Sequence, residues 1–243
     1  MSVPRVTRRT ATVILAIVLA LIGVQLLRAD AASTSNPWSQ TDADEGRSSW
    51  LRNDTTLTTA TADSLLPDYS LSRLPPFGEC GGGSRGSQVV TTSDALVFDD
   101  GRSIRAVTLT TGQPLWRRAY ANPGMGFVTQ LAVAGGKVLV GYFTNCGSSS
   151  EPTGRLEALD ALSGAVVWSQ SQYPPVQTVT ASGTTVVTYN HGSQDGFSIT
   201  ARSLTTGAVA WTATRCLGQP IVLRGRVATG CGVLGLPSGL FKW

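Results

Sequence analysis

From Gln88 onward, the 243-residue chain is made of short stretches in which apolar and polar residues alternate. Two-residue turns separate these stretches into pairs, as is typical of antiparallel hairpins with one buried face. The predicted strand pairs are Gln88–Thr92 with Ala95–Asp99, Thr129–Ala134 with Lys137–Phe143, and Gln177–Ala181 with Thr185–Asn190. The abundance of Val and Thr favours the same all-β interpretation.

Each strand pair is followed by an eleven-residue segment, and the three copies align without gaps. They share Ala106, Ala158 and Ala201 at the first position, Gly112, Gly164 and Gly207 at the seventh, and Trp116, Trp168 and Trp211 at the last; Asp160 stands at the third position of the second copy. The tryptophans are 52 (168 − 116) and 43 (211 − 168) residues apart, and the longer interval contains the insertion Asn145–Thr153. Four strands in about 40–50 residues are typical of one β-propeller blade.

The repeated unit has a physical interpretation. Glycine after Thr or Ser can adopt the positive φ that a tight hairpin requires. A tryptophan at a fixed distance from that turn then makes the same packing contact in every blade.

A fourth repeat begins at Pro220–Leu223 and Arg226–Thr229, but the last eight residues are interpreted as departing from the pattern. The fold class is therefore a partial propeller of three blades and part of a fourth. Its unfinished edges indicate either self-association or a truncated product, and the departure of the last eight residues favours truncation.

An uncharged apolar run extends from Ala11 to Leu27, which is long enough for a short membrane-spanning helix. Arginines precede it within residues 1–10, which are predicted to be a cytoplasmic basic tail; the remainder is placed outside by the positive-inside tendency. Residues 11–28 are interpreted as a retained anchor, giving a single-pass plasma-membrane protein. Ala29–Ala31 has the small-x-small form of a cleavage site, so a cleaved signal peptide and a secreted protein remain the alternative.

Residues 29–77 are rich in Ser, Thr, Asp and Pro and are predicted to be a linker, while residues 78–243 hold the repeats. Trp38, Trp50 and the alternating segment Thr56–Thr61 are interpreted as a further outer strand. The net charge of +4 is concentrated around the apolar run, and the later arginines are scattered. The sequence therefore argues against nucleic-acid binding.

The four cysteines are Cys80, Cys146, Cys216 and Cys231. In an oxidising compartment they are disulfide candidates with three possible connectivities. Proximity along the chain favours Cys216 with Cys231, which leaves Cys80 with Cys146. A metal site is disfavoured because there is no C-x-x-C pair and only one histidine.

The motif Ala-x-Asp-x-x-Thr-Gly-x-x-x-Trp, most complete at Ala158–Trp168, resembles the tryptophan-docking repeats of the PQQ-like (quinoprotein alcohol dehydrogenase-like) β-propeller family. The resemblance covers about Gln88 to Thr229. It implies a propeller in which Asp160 helps to fix the turn before Gly164. The family includes quinone-cofactor dehydrogenases and a lipoprotein scaffold of outer-membrane protein assembly, so it does not select an activity.

The enzymes of that family use calcium, a catalytic aspartate and often adjacent cysteines, and the sequence has no adjacent cysteine pair. Asp99-Asp100-Gly101 could suggest a calcium loop, but a hairpin turn is favoured. His191, the only histidine, is interpreted as a solvated loop residue rather than a general base.

No cofactor and no catalytic residue is predicted. The function inferred is an extracytoplasmic scaffold or binding protein without catalytic activity, which contacts the membrane through residues 11–27 and binds another envelope protein or polymer. The alternatives are a PQQ/calcium-dependent oxidoreductase and a ligand-sensing propeller.

Overall fold

The computed structural model describes residues 88–120, 125–144, 153–172, 174–191 and 196–241. Within these ranges the regular elements are all strands, and no helix there could cross a membrane. The apolar run, the 29–77 segment, Cys80, Cys146 and most of the insertion lie outside the described residues, so those predictions stay predictions.

The first two antiparallel sheets each contain four strands in chain order. Blade 1 comprises β1 (Val89–Thr91), β2 (Ala95–Asp99), β3 (Ser103–Thr108) and β4 (Pro114–Ala119). Blade 2 comprises β5 (Met125–Ala134), β6 (Lys137–Thr144), β7 (Thr153–Asp160) and β8 (Val166–Gln172).

The remaining two sheets follow the same order. Blade 3 comprises β9 (Val176–Ser182), β10 (Thr185–His191), β11 (Phe197–Ser203) and β12 (Val209–Thr214). Blade 4 has three strands, β13 (Ile221–Leu223), β14 (Arg226–Thr229) and β15 (Gly232–Gly235). The predicted strand pairs and the start of a fourth repeat are confirmed.

The first strand of each blade lies innermost, because β1 contacts β5, β5 contacts β9 and β9 contacts β13. The Gln130 side chain joins two of these inner strands, since its Oε1 accepts a hydrogen bond from the Val179 amide at 2.8 Å. In blades 1, 2 and 3 the last strands β4, β8 and β12 each have three or more exposed residues. Successive blades therefore pack face to face around a common side, as in a propeller.

Three apolar clusters fill the spaces between successive blades. The cluster between blades 1 and 2 includes Val90, Val97, Ile104, Val140 and Leu159. Leu139, Leu156, Val176 and Val186 lie between blades 2 and 3, and Ile199, Val222, Val227 and Leu234 lie between blades 3 and 4. The repeat alanines Ala106, Ala158 and Ala201 are buried in these three clusters in turn.

Each repeat tryptophan docks on the turn of the next blade. The indole N–H of Trp116 donates to the Ala161 carbonyl at 3.0 Å, and that of Trp168 donates to the Leu204 carbonyl at 2.9 Å. The rings lie directly over the repeat glycines: a Cβ built on Gly164 would be 2.6 Å from Cε3 of Trp116. Glycine is therefore required at position 164 for two reasons: its φ is 70°, and the indole ring above it leaves no room for a side chain.

The final segment continues this pattern, so the prediction that it departs from the repeat was wrong. Trp211 donates to the Leu236 carbonyl at 2.7 Å, and a Cβ on Gly239 would be 2.7 Å from its ring. The Gly239 amide donates to the Gly235 carbonyl at 2.8 Å, as Gly164 donates to Asp160. The copy is hard to recognise because Val and Gly replace the first and third motif residues, and the observation that favoured truncation is removed.

The predicted pairing of Cys216 with Cys231 is present as a disulfide, with Cα atoms 5.1 Å apart. It joins the β12–β13 connection to the β14–β15 turn. Beside it, the Gly230 amide donates to the Leu217 carbonyl at 2.9 Å. The three-stranded blade 4 is therefore held covalently to the chain that leads into it.

Gly164→Ala and Gly183→Ala form a matched pair for testing the docking contact. Both glycines have positive φ, so both variants should lose about 1–2 kcal/mol to backbone strain. Only Gly164 lies under a tryptophan, while a Cβ on Gly183 meets nothing within 4 Å. Gly164→Ala should therefore lose a further ~1–3 kcal/mol through overpacking, measured by urea unfolding. Equal losses in the two variants would contradict ring docking on the glycine.

Candidate functional site

Asp160 fixes the docking turn of blade 2. Its Oδ1 accepts hydrogen bonds from the Ser163 hydroxyl at 2.7 Å and from the Ser163 and Leu162 amides at 2.9 and 3.2 Å. The Ser163 hydrogen bonds hold the pKa of Asp160 below its usual range, against a smaller opposing effect of burial. At the same place in blade 1 the Thr108 and Thr111 hydroxyls share a hydrogen bond, and in blade 3 the Ser203 hydroxyl accepts one from the Thr206 amide at 3.3 Å. The carboxylate therefore has a structural use.

A buried ionic cluster lies between blades 1 and 2. Glu157 on β7 is 2% exposed and accepts hydrogen bonds from Arg118 of β4 at 3.1 Å (Nε to Oε2) and 3.2 Å (Nη2 to Oε1). Arg155 Nε lies 3.3 Å from Oε1, the Tyr142 hydroxyl donates to Oε2 at 3.3 Å, and the Ser169 hydroxyl donates to Oε1 at 3.4 Å. Both oxygens are thus fully used by protein donors.

The charges of this cluster reinforce one another. Burial alone would lower the pKa of Arg118, but the hydrogen bonds and negative charge of Glu157 outweigh it and the pKa is raised. Burial, then the charge of Glu157, raises the pKa of the Tyr142 phenol above its usual range. A carboxylate held by two guanidinium groups and a neutral phenol is not available as a general base. The cluster fastens blade 1 to blade 2.

This cluster was not predicted from the sequence, because Glu157 stands just before the repeat motif and belongs to none of the patterns described above. A signal was present: Glu157 precedes Leu159 by two residues on a strand, so both side chains lie on the same face. Leu159 occupies a core position of the repeat, which predicts that Glu157 is buried as well.

Arg202 on β11 is a second buried charge, at the position that Val107, Leu159 and Leu234 occupy in the other blades. It donates to the Gln172 side chain at 3.0 Å and to the Gly207 carbonyl at 3.1 Å. Burial lowers the pKa of this guanidinium. Within the described part of the chain, no carboxylate pairs with it.

Asp99 and Asp100 form a hairpin turn and do not fit a calcium site. Asp100 accepts hydrogen bonds from the Arg102 and Ser103 amides and from the Ser103 hydroxyl, at 2.7–2.9 Å. Asp99 accepts from the Gly101 amide at 2.8 Å and from the Tyr120 hydroxyl. Burial, together with the charge of Asp99, raises the pKa of Tyr120 above its usual range. These oxygens are directed at protein donors instead of a shared cation site.

Among the residues that the structure describes, no three His, Cys, Asp or Glu side chains form a metal-binding group. His191 is exposed, as predicted, but it ends strand β10 instead of lying in a loop. Its ring stacks on Phe197 with centroids 4.5 Å apart. In the described contacts, no nucleophile or carboxylate accompanies this ring.

Residues 100–234 match the family profile described as "Outer membrane protein assembly factor BamB". The chain belongs to the PQQ-like β-propeller repeat family. The comparison with curated proteins finds no match.

Among solved structures of propellers, the quinohemoprotein alcohol dehydrogenase of Comamonas testosteroni has a TM-score of 0.55 and 22% identity over 78% of this chain. BamB of Moraxella catarrhalis has 24% identity over 64% of the chain at a TM-score of 0.45, and the Pan2 WD40 domain of Neurospora crassa has 13% over 63% at 0.40. The PQQ-like chain spans 47% of that BamB, 28% of that dehydrogenase and 52% of that WD40 domain. At these identities the likeness concerns the fold.

The Arg118–Glu157 ion pair can be tested by a double-mutant cycle of Arg118→Gln and Glu157→Gln. Arg118→Gln leaves the buried carboxylate with Arg155 as its remaining cation, and Glu157→Gln leaves the partly exposed Arg118 without its acceptor. Each single variant should lose about 1.5–3 kcal/mol of unfolding free energy. The double variant should lose clearly less than the sum, measured by chemical unfolding. Arg117→Gln is the matched control, because this neighbour is exposed and its Nε donates to the Ser103 hydroxyl at 2.9 Å. Additive losses would refute the pair.

Asp160→Asn tests the pH dependence of the docking turn. A lowered pKa in the folded protein means that the carboxylate stabilises the fold above its unfolded pKa of about 3.9. That contribution disappears as the pH falls through the folded pKa. The difference in unfolding free energy between wild type and Asp160→Asn should therefore shrink between pH 5 and pH 2. In a Ser163→Ala background the shrinkage should be smaller, and a pH-independent difference would contradict the assignment.

Proposed function

We propose that this chain is an extracytoplasmic, membrane-anchored propeller scaffold that binds another envelope protein and has no catalytic activity. The family profile carries the description of an outer-membrane assembly factor, which supports a scaffold. The anchor and its orientation rest on the apolar run and its preceding arginines.

The observation that carries the proposal is an exposed apolar band on the outer strands. We call it the rim band; it consists of Leu115, Val166, Val167, Val209 and Leu240, whose exposed fractions lie between 41% and 67%. Each residue follows a docking glycine by one to three positions. Each of the four blades thus exposes at least one apolar residue shortly after its glycine turn.

Such a band is typical of a protein-binding surface, since soluble surfaces seldom leave apolar side chains exposed in a regular series. Among the described strands, β4, β8 and β12 pair on one side only. Their free edges offer backbone groups to an extended segment, and the rim band offers apolar contacts beside them. The partner that fits is therefore an envelope protein with an extended apolar segment.

The alternative is a quinone-dependent oxidoreductase, since a quinohemoprotein dehydrogenase shares the fold. The described carboxylates argue against it, because Asp99, Asp100 and Glu157 are all satisfied by protein donors. Their replacement by cofactor contacts would break the turn of blade 1 and the contact between blades 1 and 2.

The proposal is tested by placing a photo-crosslinking amino acid at Val167 or Val209 in the full chain in cells. Both positions should crosslink to one and the same envelope protein, identified by mass spectrometry. Ser171 is the matched control, because it is exposed on the same strand as Val167 but lies outside the rim band. The crosslink at Val167 should fall several-fold when Val166 is replaced by Asp.

Two outcomes oppose the proposal. Crosslinking at Ser171 equal to that at Val167 would exclude the rim band as the binding surface. Dye reduction by the purified full-length protein with PQQ, Ca²⁺ and an alcohol would show that the chain is an enzyme.

A further inference from the structure

Blade 1 carries a docking turn of its own on the side away from blade 2. The Gly112 amide donates to the Thr108 carbonyl at 3.0 Å, and the Thr108 amide donates to the Gln113 carbonyl at 2.9 Å. The same two hydrogen bonds form the turns of blades 2 and 3, and Gly112 has a φ of 66°. Leu109 and Gly112 thus form a platform of the kind that receives a tryptophan in the later blades.

This platform receives none of the tryptophans that the structure describes, because Trp116, Trp168 and Trp211 dock on later blades. The exposure of Leu109 agrees with this. It is 38% exposed, whereas its counterparts Ala161, Leu204 and Leu236 are 8%, 5% and 7% exposed. The first platform is therefore built but lacks a described indole.

The face of blade 1 behind this platform is nevertheless buried. Phe98 and Val107 are 4% and 3% exposed, and they are the counterparts of Val140 and Leu159, which pack between blades 1 and 2. Among the described strands, the main contact between blade 1 and another sheet is the one between β1 and β5 of blade 2. A buried apolar face needs a packing partner, and the described strands do not supply it.

The sequence before blade 1 contains a segment that matches the docking unit. Residues 42–50 read Asp-Ala-Asp-Glu-Gly-Arg-Ser-Ser-Trp, and residues 160–168 read Asp-Ala-Leu-Ser-Gly-Ala-Val-Val-Trp. Asp, Ala, Gly and Trp stand at identical spacings in both. An arginine also follows each of Trp50 and Trp116 by two residues, at Arg52 and Arg118.

We propose that the segment 42–50 occupies the platform of blade 1 and that Trp50 is the tryptophan that docks on Leu109 and Gly112. The segment that was predicted to be linker is then partly propeller. With the anchor of the proposed function, the tether shortens to residues 29–41, which extend at most about 45 Å.

A double-mutant cycle between positions 50 and 112 tests this contact in the full-length chain in detergent. Gly112→Ala adds a methyl group under the docked ring, as a Cβ on Gly164 would meet Trp116. The backbone strain of alanine at positive φ is the same with and without Trp50, so it cancels in the cycle. Gly112→Ala should reduce the folding equilibrium constant roughly tenfold more in wild type than in Trp50→Ala.

The controls are Trp38→Ala and Trp243→Ala, neither of which should change the effect of Gly112→Ala. Coupling to Trp243 instead would indicate docking by the last repeat, from the same chain or a second copy, and would overturn the proposal. Coupling to Trp38, or no coupling to any of the three, would overturn it as well.

Fluorine NMR gives a second readout if Trp50→Ala does not fold. In the chain labelled with 5-fluorotryptophan, the resonance that disappears in Trp50→Phe should shift on Gly112→Ala. The resonance assigned by Trp38→Phe should stay in place. A Trp50 resonance that is insensitive to Gly112→Ala would contradict the docking. Neither readout depends on a partner protein, so failure here and failure of the scaffold proposal are distinguishable.

Discussion

The contact on which the rest of the structure depends is the docking of one indole on the glycine turn of the following blade. It combines a hydrogen bond to a turn carbonyl with a ring that lies against a residue without a side chain. Because the same contact recurs from blade to blade, it fixes the distance and tilt between sheets whose described strands share no backbone hydrogen bonds. The apolar clusters then fill a gap whose width is already set.

Repetition alone would make the blade interfaces interchangeable, and buried charges distinguish them. Glu157 accepts hydrogen bonds from Arg118 between blades 1 and 2, whereas Thr200 occupies the equivalent position between blades 2 and 3. Arg202 replaces an apolar core residue in blade 3 alone among the four described blades. A blade that packed on the wrong neighbour would bury Glu157 or Arg202 without its partner, at a loss of several kcal/mol. A few buried polar residues within the repeated apolar pattern thus specify the order in which the blades pack.

Much of the fold was predictable because the two sequence patterns that predict it are local. The strand pairs follow from alternation, and the blades follow from the spacing of glycine and tryptophan. The turn at Leu236–Gly239 was missed because Val233 and Gly235 replace the first and third motif residues, although Ser238, Gly239 and Trp243 stand at motif positions. The Glu157 cluster was missed for another reason: its partner Arg118 lies 39 residues away, and only the packing of two sheets brings them together. Alternation could have shown that Glu157 is buried, but not what neutralises it.

Because each tryptophan docks on the following blade, the docking contacts form in the order in which the blades are synthesised. Each indole is synthesised before the turn that receives it, by 48 residues for Trp116 and Gly164 (164 − 116) and by 39 for Trp168 and Gly207 (207 − 168). At ordinary rates of translation, the first of these intervals takes about 2–10 s. During that period the newest blade carries an uncovered aromatic ring, and the arrival of each blade protects the one before it. Exposure to chaperones and proteases therefore moves along the chain with synthesis, always at the most recently completed blade.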